Sequence, residues 1–299
     1  MERDRFVKSH ALGNDYIIVD PRALSFPLTE DAIRLICDRH RGVGSDGILA
    51  LVPSSRADFG VRIYNPDGSE AEKSGNGLRI LARYLYDHGL TRQTRFRIET
   101  AGGVVEASLE VRGGAVESIT VDMGRATFRS DMIPAAGRPR DVVDEEVEVD
   151  GERLRITAVS VGNPHCVVFT DDLRPEDLRR VGPRLERHPL FPRRTNVQLA
   201  RVLSPARVAA LIWERGAGET LASGSSACAV AAAAVRKGVV GRQVTVSMPG
   251  GDLQVAVSEE WDLRLTGPAE EICTGTLSSS LVARVGSPGG AGGRRGERP

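Results

Sequence analysis

Two short segments of this chain combine the residue types of an anion site with side chains that could move a proton. Ser74-Gly75-Asn76-Gly77 precedes Leu78, Leu81 and Leu85, an apolar stripe at helical spacing. Ser223-Gly224-Ser225-Ser226 precedes an Ala- and Val-rich run, small enough to be buried tightly. Each serine has an ordinary task open to it, as an N-cap accepting a hydrogen bond from a first-turn amide. The neighbouring glycines open a second one. They expose backbone N–H groups at a helix N-terminus, where the dipole favours negative charge. Two such ends directed at one cleft would hold the α-carboxylate of an amino acid, with Ser74 and Ser223 on opposite faces of its α-carbon. Inversion at carbon needs one group to remove a proton from one face and another to deliver a proton to the other. Nearby amides would stabilise the charge that develops in between.

Other polar residues are placed to support such a site. Asn14, Asn65, Asn163 and Asn196 lie at predicted strand ends or turns, where asparagine commonly serves the turn itself. Glu214-Arg215 follows the strand-like Ile212-Trp213 and precedes Gly216-Ala217-Gly218. A carboxylate and a guanidinium there suit a zwitterionic group, and suit a surface ion pair equally well. His165, after Asn163-Pro164, could orient or assist an acid/base group; His10, His40, His88 and His188 have no such context. Gly42-Val43-Gly44-Ser45-Asp46-Gly47 lacks the lysine of a P-loop and the third glycine of a dinucleotide site, and reads as a tight turn into a strand at 48–52. The four cysteines, Cys37, Cys166, Cys228 and Cys273, are scattered, which argues against structural zinc and against a disulfide framework. Neither a metal-ligand cluster nor a committed Schiff-base lysine is evident, so no cofactor is expected.

The elements that must carry these residues come in two sets. Shifted by 149 residues, Gly13-Asn14 falls on Gly162-Asn163, Val61-Arg62-Ile63-Tyr64 on Ala210-Leu211-Ile212-Trp213, and Ser74-Gly75 on Ser223-Gly224. So many features at one offset indicate a duplication, too long in period for a solenoid. Two similar domains related by approximate two-fold symmetry, with a ligand between them, are the expectation. Strands are predicted at 16–19, 58–64, 95–100, 104–111, 118–123, 155–161, 166–170, 208–213, 244–248 and 253–258. Helices are predicted at 29–39, 77–88, 175–188 and 226–237. Short strands around one long helix per half make an α+β pattern.

Bulk properties limit the partners. Forty basic and forty acidic residues cancel, so no global field draws the chain to nucleic acid or membrane; Arg179-Arg180 and Arg193-Arg194 read as solvated faces. Aromatic residues at 4% supply few stacking platforms for single strands. The charged start has no apolar signal core, and the run from Ala227 to Val235 is too short to span a bilayer. A reducing cytoplasm fits best. From Gly286 onward the Gly-, Pro- and Arg-rich sequence predicts a disordered tail over 286–299.

Taken together, Gly13-Asn14-Asp15-Tyr16, Asn65-Pro66-Asp67-Gly68-Ser69, Ser74-Gly75-Asn76-Gly77-Leu78-Arg79, Gly162-Asn163-Pro164-His165-Cys166, Asn196, Glu214-Arg215-Gly216-Ala217-Gly218-Glu219-Thr220, Gly224, Ala227-Cys228-Ala229 and Met248-Pro249-Gly250-Gly251 resemble the diaminopimelate epimerase family. The motifs occur in the family's order, from residue 6 to about 275. The resemblance implies two pseudo-symmetric domains, each a mostly antiparallel sheet wrapped around a central helix. With the repeat it gives 1–118 plus about 267–285 for one domain and 119–266 for the other. It also implies independence from pyridoxal phosphate, a small amino-acid substrate and commonly a homodimer. Carried over by position, substrate binding falls on Asn14, Asn65, Asn163, Asn196, Glu214 and Arg215. The anion-binding amides fall on Gly75, Asn76, Gly224 and Ser225, with Glu214 and His165 close to the reacting centre.

One departure bears directly on the chemistry. The family's two acid/base residues are cysteines, and here Ser74 and Ser223 occupy those positions. A thiol titrates near about 8.5 and lower at a helix N-terminus, whereas a serine hydroxyl needs an adjacent base. Cys228, five residues beyond Ser223, does not replace it. Four readings are open: a branch in which His165, Glu214 or Lys73 activates the serines; a racemase, isomerase, dehydratase or other lyase for another amino acid; an amino-acid-binding relative without turnover; or serines introduced in the laboratory to trap a ligand. Epimerisation of LL- to meso-diaminopimelate, for lysine synthesis, leads among the expected activities.

Overall fold

The computed structural model describes residues 3–286. The chain begins β1 (Arg5–Ala11), β2 (Asn14–Val19), α1 (Glu30–Cys37), β3 (Ile48–Val52), β4 (Phe59–Tyr64), β5 (Glu70–Ala71), α2 (Gly75–Asp87), β6 (Arg95–Thr100) and β7 (Gly103–Arg112). It continues β8 (Ala115–Arg125), β9 (Glu145–Val149), β10 (Glu152–Ser160), β11 (Pro164–Phe169), α3 (Pro175–Glu186), β12 (Asn196–Ser204), β13 (Arg207–Glu214) and β14 (Gly218–Thr220). Last come α4 (Gly224–Arg236), β15 (Gln243–Met248), β16 (Gly251–Val257), β17 (Asp262–Gly267), β18 (Glu270–Thr276) and α5 (Ser279–Val285). Two compact units divide it: residues 3–116 with 269–286, and Glu117–Pro268.

Each unit is an α+β assembly built on the same plan. In the first, β1–β2, β3–β4, β4–β5 and β6–β7 pair antiparallel, while β2–β3 and β4–β6 are parallel. In the second, β10–β11, β12–β13, β13–β14 and β15–β16 are antiparallel, and β11–β12 and β13–β15 parallel. The duplication extends to register. Ile17 pairs Ile48 and Ile48 pairs Tyr64; Cys166 pairs Val197 and Val197 pairs Trp213, each 149 residues on. Beyond the helices the offset falls to 148, since Thr100 pairs Gly103 and Met248 pairs Gly251. The segment between helix and next strand is 88–94 in one unit and 237–242 in the other, which accounts for the missing residue.

A central helix organises each unit, by different means. α2 lays Leu78, Ile80, Leu81, Ala82 and Leu85 against β1, β2, β7 and β18. α4 is buried all round, from Ser226 to Ala234, and touches β10, β11, β12, β13, β15, β16 and β17. Only side chains as small as alanine let strands approach a helix on every side, and alanine also has the best helix propensity. Both helices start two residues earlier than the sequence predicts, at Gly75 and Gly224, which moves the glycine amides into the first turn.

Several elements were not anticipated, and their sequences explain why. β1 buries Val7, Ser9 and Ala11 on one face, of which only Val7 is strongly apolar, and β18 is exposed along almost its whole length, so neither shows a hydrophobic alternation. β9, β12, β17 and α5 are further additions; Leu277 and Val285 join Ile33, Ile36 and Phe26 in one apolar cluster. Of the tail anticipated over 286–299, Gly286 ends α5, and 287–299 lie outside the described residues.

Candidate active site

In the first unit the chemistry gathers at the start of α2. Ser74 is the N-cap: its extended backbone turns the chain into the helix, and its Oγ accepts from the Gly77 amide at 3.0 Å. The helical ladder opens with Leu78 N–H donating to the Ser74 carbonyl, which leaves the Gly75 and Asn76 amides as first-turn donors outside it. Ser74 Oγ also lies 3.2 Å from the hydroxyl of Tyr16, a buried residue of β2.

Beneath this helix start runs a chain of amides. The wholly buried Arg79 donates to the Gly75 carbonyl at 3.2 Å and to Asn76 Oδ1 at 2.9 Å. Asn76 Nδ2 donates to Asn14 Oδ1 at 3.0 Å, and Asn14 Nδ2 to Asp46 Oδ2 at 3.0 Å. Charge at the Arg79 end therefore fixes which way both asparagines face. Arg39 joins Asp46 to Asp15, which Lys8 also meets at 3.0 Å. Burial alone would raise the Asp15 carboxyl, but hydrogen bonds and charge from Arg39 and Lys8 outweigh it and hold it below its usual range. Asn65 stands apart, holding its own turn: its side chain donates to Ser69 Oγ at 3.0 Å and its carbonyl accepts from Gly68. Gly68 has φ +88° and its missing Cβ would lie 2.9 Å from Glu30 Cα, so no other residue fits.

The second unit builds its helix start differently. Ser223 is the N-cap of α4 by position, yet its side chain makes no capping bond; its Oγ lies 3.5 Å from that of Ser225. Ala227 N–H opens the ladder on the Ser223 carbonyl, so the amides of Gly224, Ser225 and Ser226 all stand outside it. His165, completely buried, has both ring nitrogens engaged, Nδ1 with Gln198 Nε2 at 3.0 Å and Nε2 with Asn163 Oδ1 at 2.9 Å. Since Gln198 Nε2 donates, Nδ1 is the acceptor and Nε2 carries the proton. Gln198 Nε2 donates as well to Ser226 Oγ at 3.0 Å. Burial, then the charge of Arg215, holds the imidazole neutral, with its pKa lowered to about 3.

Asn196 is held from two sides, donating to the Pro164 carbonyl at 2.9 Å and accepting from the Arg215 amide at 2.9 Å. Glu214 ends β13, and exposed Arg215 rests its Nη1 on the Arg193 carbonyl at 3.2 Å. Buried Glu186 of α3 accepts from Trp213 Nε1 at 2.8 Å and from the Gly216 amide at 3.1 Å, which fixes the turn that presents Glu214 and Arg215. Cys228 is buried within α4, out of place as a substitute for Ser223.

Asn14, Ser74, Gly75 and Asn76 thus converge in one unit, and Asn163 with His165, Asn196 with Arg215, and Ser223 with Ser225 in the other. Six further participants were not singled out from the sequence: Tyr16, Asp46, Arg79, Glu186, Gln198 and Ser226. The offset of 149 held the signal for some of them, since it sets Tyr16 on His165, Leu49 on Gln198 and Gly77 on Ser226.

Solved structures define the fold class. The fold is shared with a hydroxyproline epimerase from Agrobacterium vitis (TM-score 0.69, 17% identical, covering 91% of this chain and 90% of that one). It is shared too with a probable proline racemase from Agrobacterium radiobacter (TM-score 0.70, 16% identical, covering 92% and 93%). Within that class the chain belongs to the diaminopimelate epimerase family, whose sequence pattern matches residues 6–129 and 157–272. Among its relatives are diaminopimelate epimerase 2 of Nostoc sp., 47% identical over 93% of this chain and 97% of that protein, and the diaminopimelate epimerase of Pelotomaculum thermopropionicum, 46% identical over 90% and 97%.

Proposed function

We propose that this chain is an isomerase that inverts an α-carbon of diaminopimelate, taking the LL form to the meso form for lysine synthesis without a cofactor. The observation that carries the reading is the repeated helix start, a Ser-Gly N-cap with first-turn amides outside the helical ladder, once in each unit. Membership of the family and the two relatives named diaminopimelate epimerase support the substrate.

In this reading the amides of Gly75, Asn76, Gly224 and Ser225 receive the α-carboxylate, as helix N-termini receive anions. Ser74 and Ser223 work on opposite faces of the α-carbon, one removing a proton while the other supplies one. Asn14, Asn65, Asn163, Asn196, Glu214 and Arg215 bind the rest of the substrate, and the second amino-acid group of diaminopimelate suits the paired charges of Glu214 and Arg215. His165 acts by orienting Asn163: its Nε2–H occupies Asn163 Oδ1, which turns the amide NH₂ outward as a donor. The enclosed, neutral ring is poorly placed to exchange protons itself. Glu214 remains the carboxylate assigned beside the reacting centre.

A second reading, an amino-acid-binding relative with little turnover, draws on the serines. Among the described residues the Ser223 hydroxyl has only that of Ser225 beside it, at 3.5 Å, and His165 is committed elsewhere. Proton NMR in deuterated buffer separates the two. Loss of the α-proton signal of LL-diaminopimelate supports the isomerase; saturable binding with no exchange supports the binder; exchange confined to another amino acid overturns the substrate.

We further take the protein to be a cytoplasmic homodimer without nucleic-acid or membrane partners. The resemblance to the family supports the dimer, and the balanced charge the lack of nucleic-acid and membrane-surface partners; among the described residues no helix is long and apolar enough to cross a membrane. Sedimentation equilibrium giving a monomer across micromolar concentrations would remove the dimer.

A further inference from the structure

Tyr16 and His165 occupy the same slot of the repeat, each buried on the strand that pairs in parallel with its unit's next strand. What surrounds the slot differs. The second unit fills it with a polar bridge, His165 to Gln198 to Ser226, which reaches the first turn of α4. The first unit has Leu49 and Gly77 at those two positions, and its phenol reaches the N-cap side chain itself, 3.2 Å from Ser74 Oγ. The ring is tightly seated: a Cβ on Gly47 would lie 2.7 Å from Tyr16 Cε1, and one on Gly77 3.3 Å from Ser74 Oγ.

We infer that the Tyr16 hydroxyl is a positioning residue for proton transfer at Ser74, one that Ser223 does not have. The inference rests on Ser74 acting at the acid/base position. Ser74 Oγ has one proton and two lone pairs, and the Gly77 amide occupies one pair. When Ser74 gives its proton to the α-carbon, its O–H bond breaks, the C–H bond forms, and the electron pair left on Oγ is held by Gly77 N–H and Tyr16 O–H. In the opposite direction the Ser74 alkoxide, held by the same Gly77 N–H and Tyr16 O–H, takes the α-proton: the C–H bond breaks, the serine O–H bond forms, and the electron pair of the C–H bond stays on the α-carbon. One hydroxyl serves both directions because it donates to the oxyanion in each.

The test introduces a thiol at position 74 and reads its ionisation. Ser74→Cys is compared with and without Tyr16→Phe, which keeps the ring and removes only the hydroxyl. Iodoacetamide alkylation is followed against pH and quantified peptide by peptide by mass spectrometry, which separates position 74 from the exposed Cys273. Removing a hydrogen bond to the charged form should slow alkylation at pH 7 by about 3- to 10-fold and move the midpoint to higher pH. In Ser223→Cys the same Tyr16→Phe change should alter the rate by less than about twofold. An unchanged rate at position 74, or equal changes at both positions, overturns the inference. A second readout is Tyr16→Phe in the otherwise unaltered chain, where kcat should fall with KM unchanged; a rise in KM alone also overturns it. Because alkylation needs no substrate, its failure in an active epimerase removes the role of Tyr16 and spares the proposed function, while a positive alkylation result in an inactive chain does the reverse.

Discussion

The two helix starts come from one ancestral motif and now solve different problems. At α2 the serine is used structurally, capping Gly77, and the asparagines below are aligned by a buried cation, Arg79. At α4 the position equivalent to Arg79 is Cys228, the serine caps nothing, and alignment comes from a neutral imidazole set between two amides. The first start is therefore stiff around its serine and positively charged behind it. The second, with as many amides outside the ladder, has none of them capped by its serine, which is left without a structural duty. Under the proposed function, a duplicated site need not stay symmetric to serve a symmetric reaction; each half would have only to present a carboxylate receptor and a proton carrier, by whatever neighbours drift has supplied.

The largest expected effect erases the shared weakness of the two halves. Ser74→Cys together with Ser223→Cys should raise α-proton exchange on diaminopimelate by about 10²-fold or more, since a thiolate forms near neutral pH and an alkoxide does not. No increase, measured by the same NMR exchange with binding unaltered, would mean that missing thiols are not the limit and that the substrate is a different amino acid.

Next comes the imidazole, which exists on one side only. His165 has a folded pKa of about 3, below the ordinary value, so the unfolded chain takes up a proton there that the folded chain does not. Its contribution to stability is complete above about pH 6.5 and is lost as pH falls toward 3, at up to about 1.4 kcal/mol per pH unit. Urea unfolding of the parent and of His165→Gln between pH 7 and 4 should show a steeper decline in the parent; parallel lines would remove this asymmetry.

Smaller still is the difference between the caps. Ser74→Ala should cost about 1 kcal/mol in folding stability. Ser223→Ala, with no capping bond to lose, should cost only a few tenths. Equal losses in chemical denaturation would show that the two serines do the same structural work after all.

How much of this could be read in advance depends on what a residue's environment adds. Ser74, Ser223 and the glycines beside them were legible because an N-cap followed by an apolar run is a local pattern, and the repeat doubled it. The α+β class was legible for the same reason, from strand alternation flanking two strong helical stripes. Tyr16, Gln198 and Arg79 were not, since nothing local separates a tyrosine or arginine that will be enclosed from one that will be solvated. β18 escaped because a strand exposed on both faces carries no period-two hydrophobic signal. The charged pair Glu214 and Arg215 was visible, but its support was not: Glu186 reaches it from a helix 28 residues earlier in sequence than Glu214.

The alanine helix has a consequence for how the two halves can change. α2 meets its sheet through leucines and isoleucines, which can exchange shape with their neighbours while keeping total volume. α4 has surrendered that freedom: Ala229, Ala231, Ala232, Ala233 and Ala234 are all at full burial, with strands on every side. A single added branch there has nowhere to go without parting the sheet. Saturation mutagenesis should therefore find α2 a permissive helix and α4 an almost frozen one. Any engineered shift in substrate choice will be easier to obtain by altering the first half of the protein than the second.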